Sequence, residues 1–417
     1  GFSGDTIISW DSLRFQPRFT ATAANIGYFW WSNDIGGHML GGSDDTMAAR
    51  WFQLGCFSPI NRLHSSNSGF TSKEPWRYSR DARATMEAHL RLRHRLVPYL
   101  YTWARRSASE GIAPVRPVYH DHPRELAAYE HRGSFFFGDL LVVPFTSPLD
   151  GTTGLGRELT WLPDGVWYDL PTGLRYEATT GGRGRMLSLS RPLDRIGVLA
   201  RAGSVIPLAG NLTEAAGDNP RELEIVVVPG GSGSFTLEED DGSAQPGEDQ
   251  IARTHMALTW PDAEEEDGAD VVLRIRLEGA AEVVPASRLV TVRLLAGQVT
   301  GAWLGVGERA CRLATEEVSG DGFTLGAGTL VHLEELSRQE LIDGVQLVLR
   351  GTKHSPADWR DEVHAILDAA RVEYMAKDLA WDAVQRGLSG TALLGELEAL
   401  GLPETLRAAV AEVLPHS

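Results

Sequence analysis

Three short stretches carry the residues best suited to chemistry: Gly4-Asp5-Thr6, Ser32-Asn33-Asp34-Ile35-Gly36-Gly37-His38 and Asn61-Arg62-Leu63-His64. Each follows a short apolar or aromatic run and interrupts it with polar residues. In a parallel α/β barrel, polar residues at such strand ends point into a shared active-site mouth. Carboxylates there can exchange protons, imidazoles can bond hydroxyls, and the neighbouring Trp30 or Trp31 can offer a flat apolar face to a sugar ring. Together they suit glycoside hydrolysis. An Asp after a strand also serves as a turn or helix cap, so that alternative stays open. Alternation along a strand points one of Trp30 and Trp31 inward and the other outward.

Several other chemistries lack their residues. The chain has no Gly-x-x-x-x-Gly-Lys loop, no Gly-x-Gly-x-x-Gly fingerprint and no Gly-x-Ser-x-Gly elbow. His89 and His94 are five apart on a helical pattern and face different ways, while His120-Asp121-His122 reads as a solvated loop, so no metal site is expected there. Glu239-Asp240-Asp241-Gly242 reads as a hairpin, because it lacks the alternate ligands of a calcium loop. Cys56 and Cys311 form neither a disulfide framework nor a zinc set.

The elements that must position these residues fall into four stretches. At 417 residues the chain is long enough for two to four domains, and 42% hydrophobic with 23% charged residues is ordinary globular composition. Residues 1–110 hold half of the tryptophans and mix short apolar runs with one long helical pattern from Asp81 to Arg106, which suggests α/β units. Residues 111–210 and 211–336 show short apolar runs between Gly, Pro and Asp turns, as two β-sandwiches would; the acidic run Glu264 to Asp267 reads as a loop. Residues 337–417 read as a helical tail, with cap signals at Ser337/Glu340 and Ser355/Asp358. Its apolar stripes (Val363, Ile366, Leu367; Leu393, Leu397; Leu406, Val410, Leu414) predict a small bundle with no carboxylate at an interior position and no contact with substrate. The fold class is thus α/β plus all-β.

A formal charge of −17 excludes a nucleic-acid partner, and no apolar run approaches the length of a membrane span, so no membrane partner is expected. The expected compartment is the cytoplasm. The chain opens at Gly1 inside a strand-like segment, so it is expected to be a piece of a longer protein, and the lack of a signal peptide does not bear on export.

An ordered series of motifs resembles glycoside hydrolase family 31, the family of retaining α-glucosidases and α-xylosidases. It runs through Phe2-Ser3-Gly4-Asp5-Thr6, Ser9-Trp10-Asp11, Asp34-Ile35-Gly36-Gly37, Arg50-Trp51-Phe52-Gln53-Leu54-Gly55, Phe57-Ser58-Pro59, Arg62-Leu63-His64 and Glu74-Pro75-Trp76. It continues through Pro98-Tyr99-Leu100-Tyr101, Pro114-Val115-Arg116-Pro117, Trp167-Tyr168-Asp169, Arg201 to Pro207 and Glu239 to Gly242. The resemblance implies the C-terminal part of a (β/α)8 TIM barrel (strands six to eight), then two β-sandwich domains and the helical tail. It further implies that Asp5 is the general acid/base, that Asp34 and His64 bind sugar hydroxyls, and that Arg62 partners a carboxylate. Where the family often has an aromatic after the two glycines, this chain has His38, which alters the wall of the sugar site.

The nucleophilic Asp of the family's Trp-x-Asp-Met-Asn-Glu type motif is absent, as is the arginine ahead of the acid/base; both are expected upstream of Gly1. A retaining glycosidase needs two carboxyls about 5–5.5 Å apart, one ionised and one protonated, so the chain alone is expected to be inactive. The implied substrate is a terminal α-linked glucoside or oligosaccharide, with no cofactor and no metal. The missing N-terminal part of the enzyme is an expected partner, and a homo-oligomer is compatible with the sequence. The alternatives are an α-xylosidase or α-transglucosylase of the same fold, or a non-catalytic carbohydrate-binding module.

Overall fold

The computed structural model describes residues 1–261 and 270–414, so the loop expected at Glu264 to Asp267 lies outside the described residues. At the N-terminal end, three extended segments lie side by side in parallel, joined by the bridges Phe2 to Ser32, Ile7 to Met39 and Ile35 to Leu63. Helices Trp10–Thr22, Asp45–Cys56 and Arg80–Arg95 follow the first, second and third segments. Parallel neighbours joined through helices are the βα order expected of barrel strands. The ladder is nonetheless a set of isolated bridges rather than three long strands. Gly4, Gly36 and Gly37, at φ of +77°, +84° and +77°, take the backbone out of the extended region where the polar residues begin. Only glycine suits position 37, because a Cβ there would lie 2.8 Å from the Ile8 Cα.

The long helix expected from Asp81 to Arg106 is two helices, Arg80–Arg95 and Val97–Glu110, meeting at Leu96. Pro98, in the first turn of the second, has no N–H to continue the ladder of the first.

A six-stranded antiparallel sheet comes next, in the order Val115–Pro117, Phe135–Phe137, Leu140–Val143, Gly197–Arg201, Val166–Asp169, Arg175–Glu177. It is buried on both faces, and the two-residue period of a strand sorts its side chains. Phe135, Phe137, Val142, Val198 and Tyr168 join the core shared with the N-terminal helices and the distal sheets. Phe136, Leu141, Val143, Leu199 and Trp167 face a second core.

Two six-stranded sheets build the distal domain. The boundaries expected at 210 and 336 both miss part of it. Val205–Ala209 already pairs with Glu222–Val227 in the first distal sheet, and Val345–Arg350 lies between Val271–Gly279 and Gly301–Val306 in the second. Across that second sheet Leu258, Leu273, Leu347 and Leu304 line up in register, all buried. The capping box at Ser337 and Glu340 is real, but it opens only the one short helix Arg338–Asp343 inside the domain. Glu239 to Gly242 begins the connection between the antiparallel strands Gly233–Asp240 and Ile251–Thr259. Glu239 is buried against Arg288, and Asp240 accepts the Tyr101 hydroxyl.

The tail helices Trp359–Ala369, Tyr374–Gln385, Gly390–Ala399 and Glu404–Val413 pack on one another as the expected small bundle, but that bundle is not separate from the domain beneath it. Val363, Val384, Leu397, Leu406 and Val410 share the second core with Trp161, Leu189 and Trp167 of the proximal domain. The expectation of no interior carboxylate fails at Glu412. Its side chain is buried and accepts from Arg191 Nη1 at 2.6 Å, Tyr176 Oη at 2.8 Å and the Ser190 amide at 2.5 Å.

One half-buried acid in the proximal domain makes stability depend on pH. Burial pushes the Glu158 carboxyl up to about 7, against the hydrogen bonds of Thr146 and the charge of Arg14. Its ordinary value is 4.5, so folding favours the protonated form, and the stability this gives is lost as pH rises from 4.5 through about 7. A shift of that size is worth on the order of 3 kcal/mol. Glu158→Gln is therefore expected to flatten the fall in melting temperature between pH 5 and pH 8. An unchanged slope would remove Glu158 as its source.

Candidate active site

The three N-terminal segments bring their polar ends together. The ligand atoms of Asp5, Asp34, His38 and His64 all lie within 4.8 Å of one another. His38 Nδ1 is 3.5 Å from Asp34 Oδ2 and 3.7 Å from Asp5 Oδ1, and the two imidazole rings sit 4.7 Å apart. Backbone bonds hold this register: the Ser32 amide donates to the Gly1 carbonyl, His38 to Thr6, Ile35 to Arg62 and Ser66 to His38.

Strand phase explains which side chains meet. Ser32 and Asp34 share one face of the second segment, and Trp31 and Asn33 share the other. Asn33 is turned toward the helices, where its Oδ1 accepts the Trp51 indole N–H at 2.9 Å. Trp31 follows the same phase: it is buried, with its ring against Phe19 and Tyr28. The expectation of Trp31 as a sugar platform is thus corrected; the alternation that placed one of the pair inward left the phase open.

Asp34 has no solvent exposure, whereas Asp5 is half exposed. Arg62 donates to Asp34 Oδ1 while its guanidinium lies 5.2 Å from the Phe2 ring centroid, so the one group is held by two contacts. Among the described residues, Asp34 Oδ2 is left buried with no hydrogen-bond partner, and His38 Nδ1 is likewise buried without one. Such atoms cost free energy unless a ligand completes them, so the arrangement is built to receive polar groups.

A residue that the sequence did not single out stabilises this turn. Lys73 is buried and donates from Nζ to the Gly36 carbonyl at 2.7 Å, bracing the Gly36-Gly37 turn that carries Asp34 and His38. Burial lowers its ammonium to about 8, against the pull of Asp34 in the other direction. The available signal was a lysine just before Glu74-Pro75-Trp76 in a chain with only three lysines.

The other polar candidates stay apart from the cluster. His89 is buried with Nδ1 on the Thr85 carbonyl at 2.8 Å, and desolvation lowers it to about 4. His120 meets Asn25, His122 packs on Trp161, and Asp121 pairs with Arg116.

Comparison with known proteins fits this geometry. Residues 1–103 match the family model of the glycosyl hydrolases family 31 TIM-barrel domain, and residues 111–206 match that of the family 31 C-terminal domain. An α-xylosidase of Saccharolobus solfataricus is 31% identical over 245 residues, covering 58% of this chain and 32% of the relative. The lysosomal α-glucosidase of Mus musculus is 27% identical over 296 residues, 67% of this chain and 30% of the relative. The chain thus spans about a third of the length of these curated relatives. Among solved structures, the family 31 α-xylosidase of Xanthomonas citri superposes with a TM-score of 0.59 at 27% identity, over 70% of this chain and 32% of that one. A Flavobacterium johnsoniae family 31 dextranase reaches a TM-score of 0.67 at 20% identity over 84% of this chain and 44% of that one, a likeness of fold. Over residues 1–206, from the segment bearing Asp5 to the sheet beneath the helical tail, the chain belongs to glycoside hydrolase family 31.

Proposed function

We propose that this chain is the acid/base-bearing part of a retaining, exo-acting α-glycosidase that hydrolyses terminal α-glucosidic bonds. The observation that carries the reading is the convergence of Asp5, Asp34, His38 and His64 at one end of three parallel segments, with Asp34 Oδ2 buried and unpartnered. Asp5 would donate its proton to the departing glycosidic oxygen while a carboxylate supplied from outside these residues attacks the anomeric carbon. That step breaks the glycosidic bond and leaves a covalent glycosyl-enzyme. In the second step Asp5 takes a proton from water as its oxygen attacks the anomeric carbon and displaces the carboxylate, which releases the sugar with net retention. Asp34, aligned by Arg62, and His64 would bond the sugar hydroxyls. Those bonds strengthen as the ring gains oxocarbenium character. The exposed half of Asp5 faces solvent, where a leaving group would depart, and the buried Asp34 suits a sugar held from behind.

The test is turnover of aryl α-glucoside and aryl α-xyloside by this chain alone and by the chain joined to a family 31 segment that completes the barrel. The joined protein is expected to prefer the glucoside, and the chain alone to leave both intact. Preference for the xyloside would move the assignment to α-xylosidase. Turnover by the chain alone would make Asp5 and Asp34 themselves the catalytic pair and overturn the division of roles.

A further inference from the structure

The same four side chains have a second chemical capacity that follows from their donor atoms. We propose that Asp5, Asp34, His38 and His64 form a binding site for a divalent metal ion of borderline softness, with zinc the reference ion. Zinc takes nitrogen and oxygen donors at about 2.0–2.2 Å in a tetrahedron, whose edges are then about 3.3–3.6 Å. The spacings of 3.5 Å from His38 Nδ1 to Asp34 Oδ2 and 3.7 Å from His38 Nδ1 to Asp5 Oδ1 are close to those edges. All four donors lie within 4.8 Å of one another, so small side-chain rotations close the set.

Two observations independent of the spacing point the same way. Asp34 is fully buried and its Oδ2 faces the cluster without a hydrogen-bond donor; the buried His38 Nδ1 beside it also lacks a partner. A metal ion would satisfy both atoms at once. The donor composition selects the ion: two imidazoles and two carboxylates suit zinc, cobalt, nickel or copper, whereas calcium and magnesium call for six or more oxygens. Arg62 on Asp34 Oδ1 and the Lys73 ammonium near Asp34 oppose a dication, which sets the site well below a structural zinc centre in affinity. The half-exposed Asp5 gives the ion its way in.

His38 is the deciding residue. An aromatic at that position would leave only Asp5, Asp34 and His64. An ion seated here blocks the pocket to any other ligand. This inference stands on donor geometry and does not depend on the sugar reading.

The experiment is calorimetric titration of zinc chloride into this chain in a non-coordinating buffer, beside the visible absorption of added cobalt(II). One saturable site of low-micromolar affinity is expected, with the intense d–d bands of tetrahedral cobalt. His38→Phe and His64→Ala, each checked for an unchanged circular dichroism spectrum, should each weaken zinc by at least about tenfold and abolish those bands. Zinc binding of equal strength in both variants, or no saturable site in the parent chain, would overturn the proposal. Should one variant fail to fold, the other and the cobalt spectrum of the parent still decide it.

Discussion

Replacing Arg191 with Met is expected to remove about 3–5 kcal/mol of stability, because it leaves two carboxylates buried without their counter-ion. Arg191 has 3% of its side chain exposed, and it bonds Glu412 through Nη1 at 2.6 Å and Asp169 through Nη2 at 3.0 Å. Glu412 belongs to the last helix and Asp169 ends the strand Val166–Asp169 of the proximal sheet, so a single guanidinium ties the tail to the domain beneath it. Tyr176 lies in the same network, donating to Glu412 and accepting from Arg191. Removing one partner of a buried pair costs more than replacing the pair, so adding Glu412→Leu to Arg191→Met should restore part of the loss. Urea unfolding measures both, and limited proteolysis between Ser355 and Trp359, just ahead of the first tail helix, reports release of the tail. A single variant within about 1 kcal/mol of the parent would show that the network contributes little. Cutting the tail away would be harsher still. It takes the apolar cover from Leu189 and Trp161 as well, so the tail's effect on stability and any effect on substrate are separate questions.

The clustering of Asp5, Asp34, Arg62 and His64 was legible because its determinants are local. Each residue follows a short apolar run, and parallel segments joined by helices align their ends. Trp31 was misplaced for an equally local reason: period-two alternation gives relative facing, and only the bond of Asn33 to Trp51 fixes which face is inward. Glu412 could not be read from its helix. The spacing of Leu406, Val410 and Leu414 defines one apolar stripe, and burial of a further face depends on Arg191, 221 residues earlier. The domain boundaries failed between these extremes. Val345–Arg350 carries its own alternation, with Val345, Leu347 and Leu349 buried, but the true cap box just before it announced a helix that lasts only six residues. Lys73 shows the remaining gap, since a lysine that braces a backbone turn across 37 residues leaves no periodic trace.

In an enzyme whose barrel is complete, Asp5→Asn is expected to slow alkyl α-glucosides by about 10²–10⁴-fold, the usual contribution of a positioned general acid. The placement of Asp5 gives the reason to single it out. It is the only carboxylate of the cluster with substantial exposure, and its Oδ1 is too far from His38 Nδ1, at 3.7 Å, to be committed to a hydrogen bond. Asp34, by contrast, is engaged by Arg62 and enclosed. An alkoxide leaves poorly without a proton, whereas an acidic phenol leaves readily, so an aryl glucoside bearing a good leaving group should lose far less in its first step. The second step needs a base to deprotonate water, and Asn cannot supply one. The glycosyl-enzyme should therefore accumulate with activated substrates and appear as a burst of released phenol ahead of a slow steady state. Leaving-group dependence and burst together distinguish a proton donor from a residue that only shapes the pocket. Equal losses across leaving groups, with no burst, would return Asp5 to the role of a turn residue and move the acid/base elsewhere in the completed barrel.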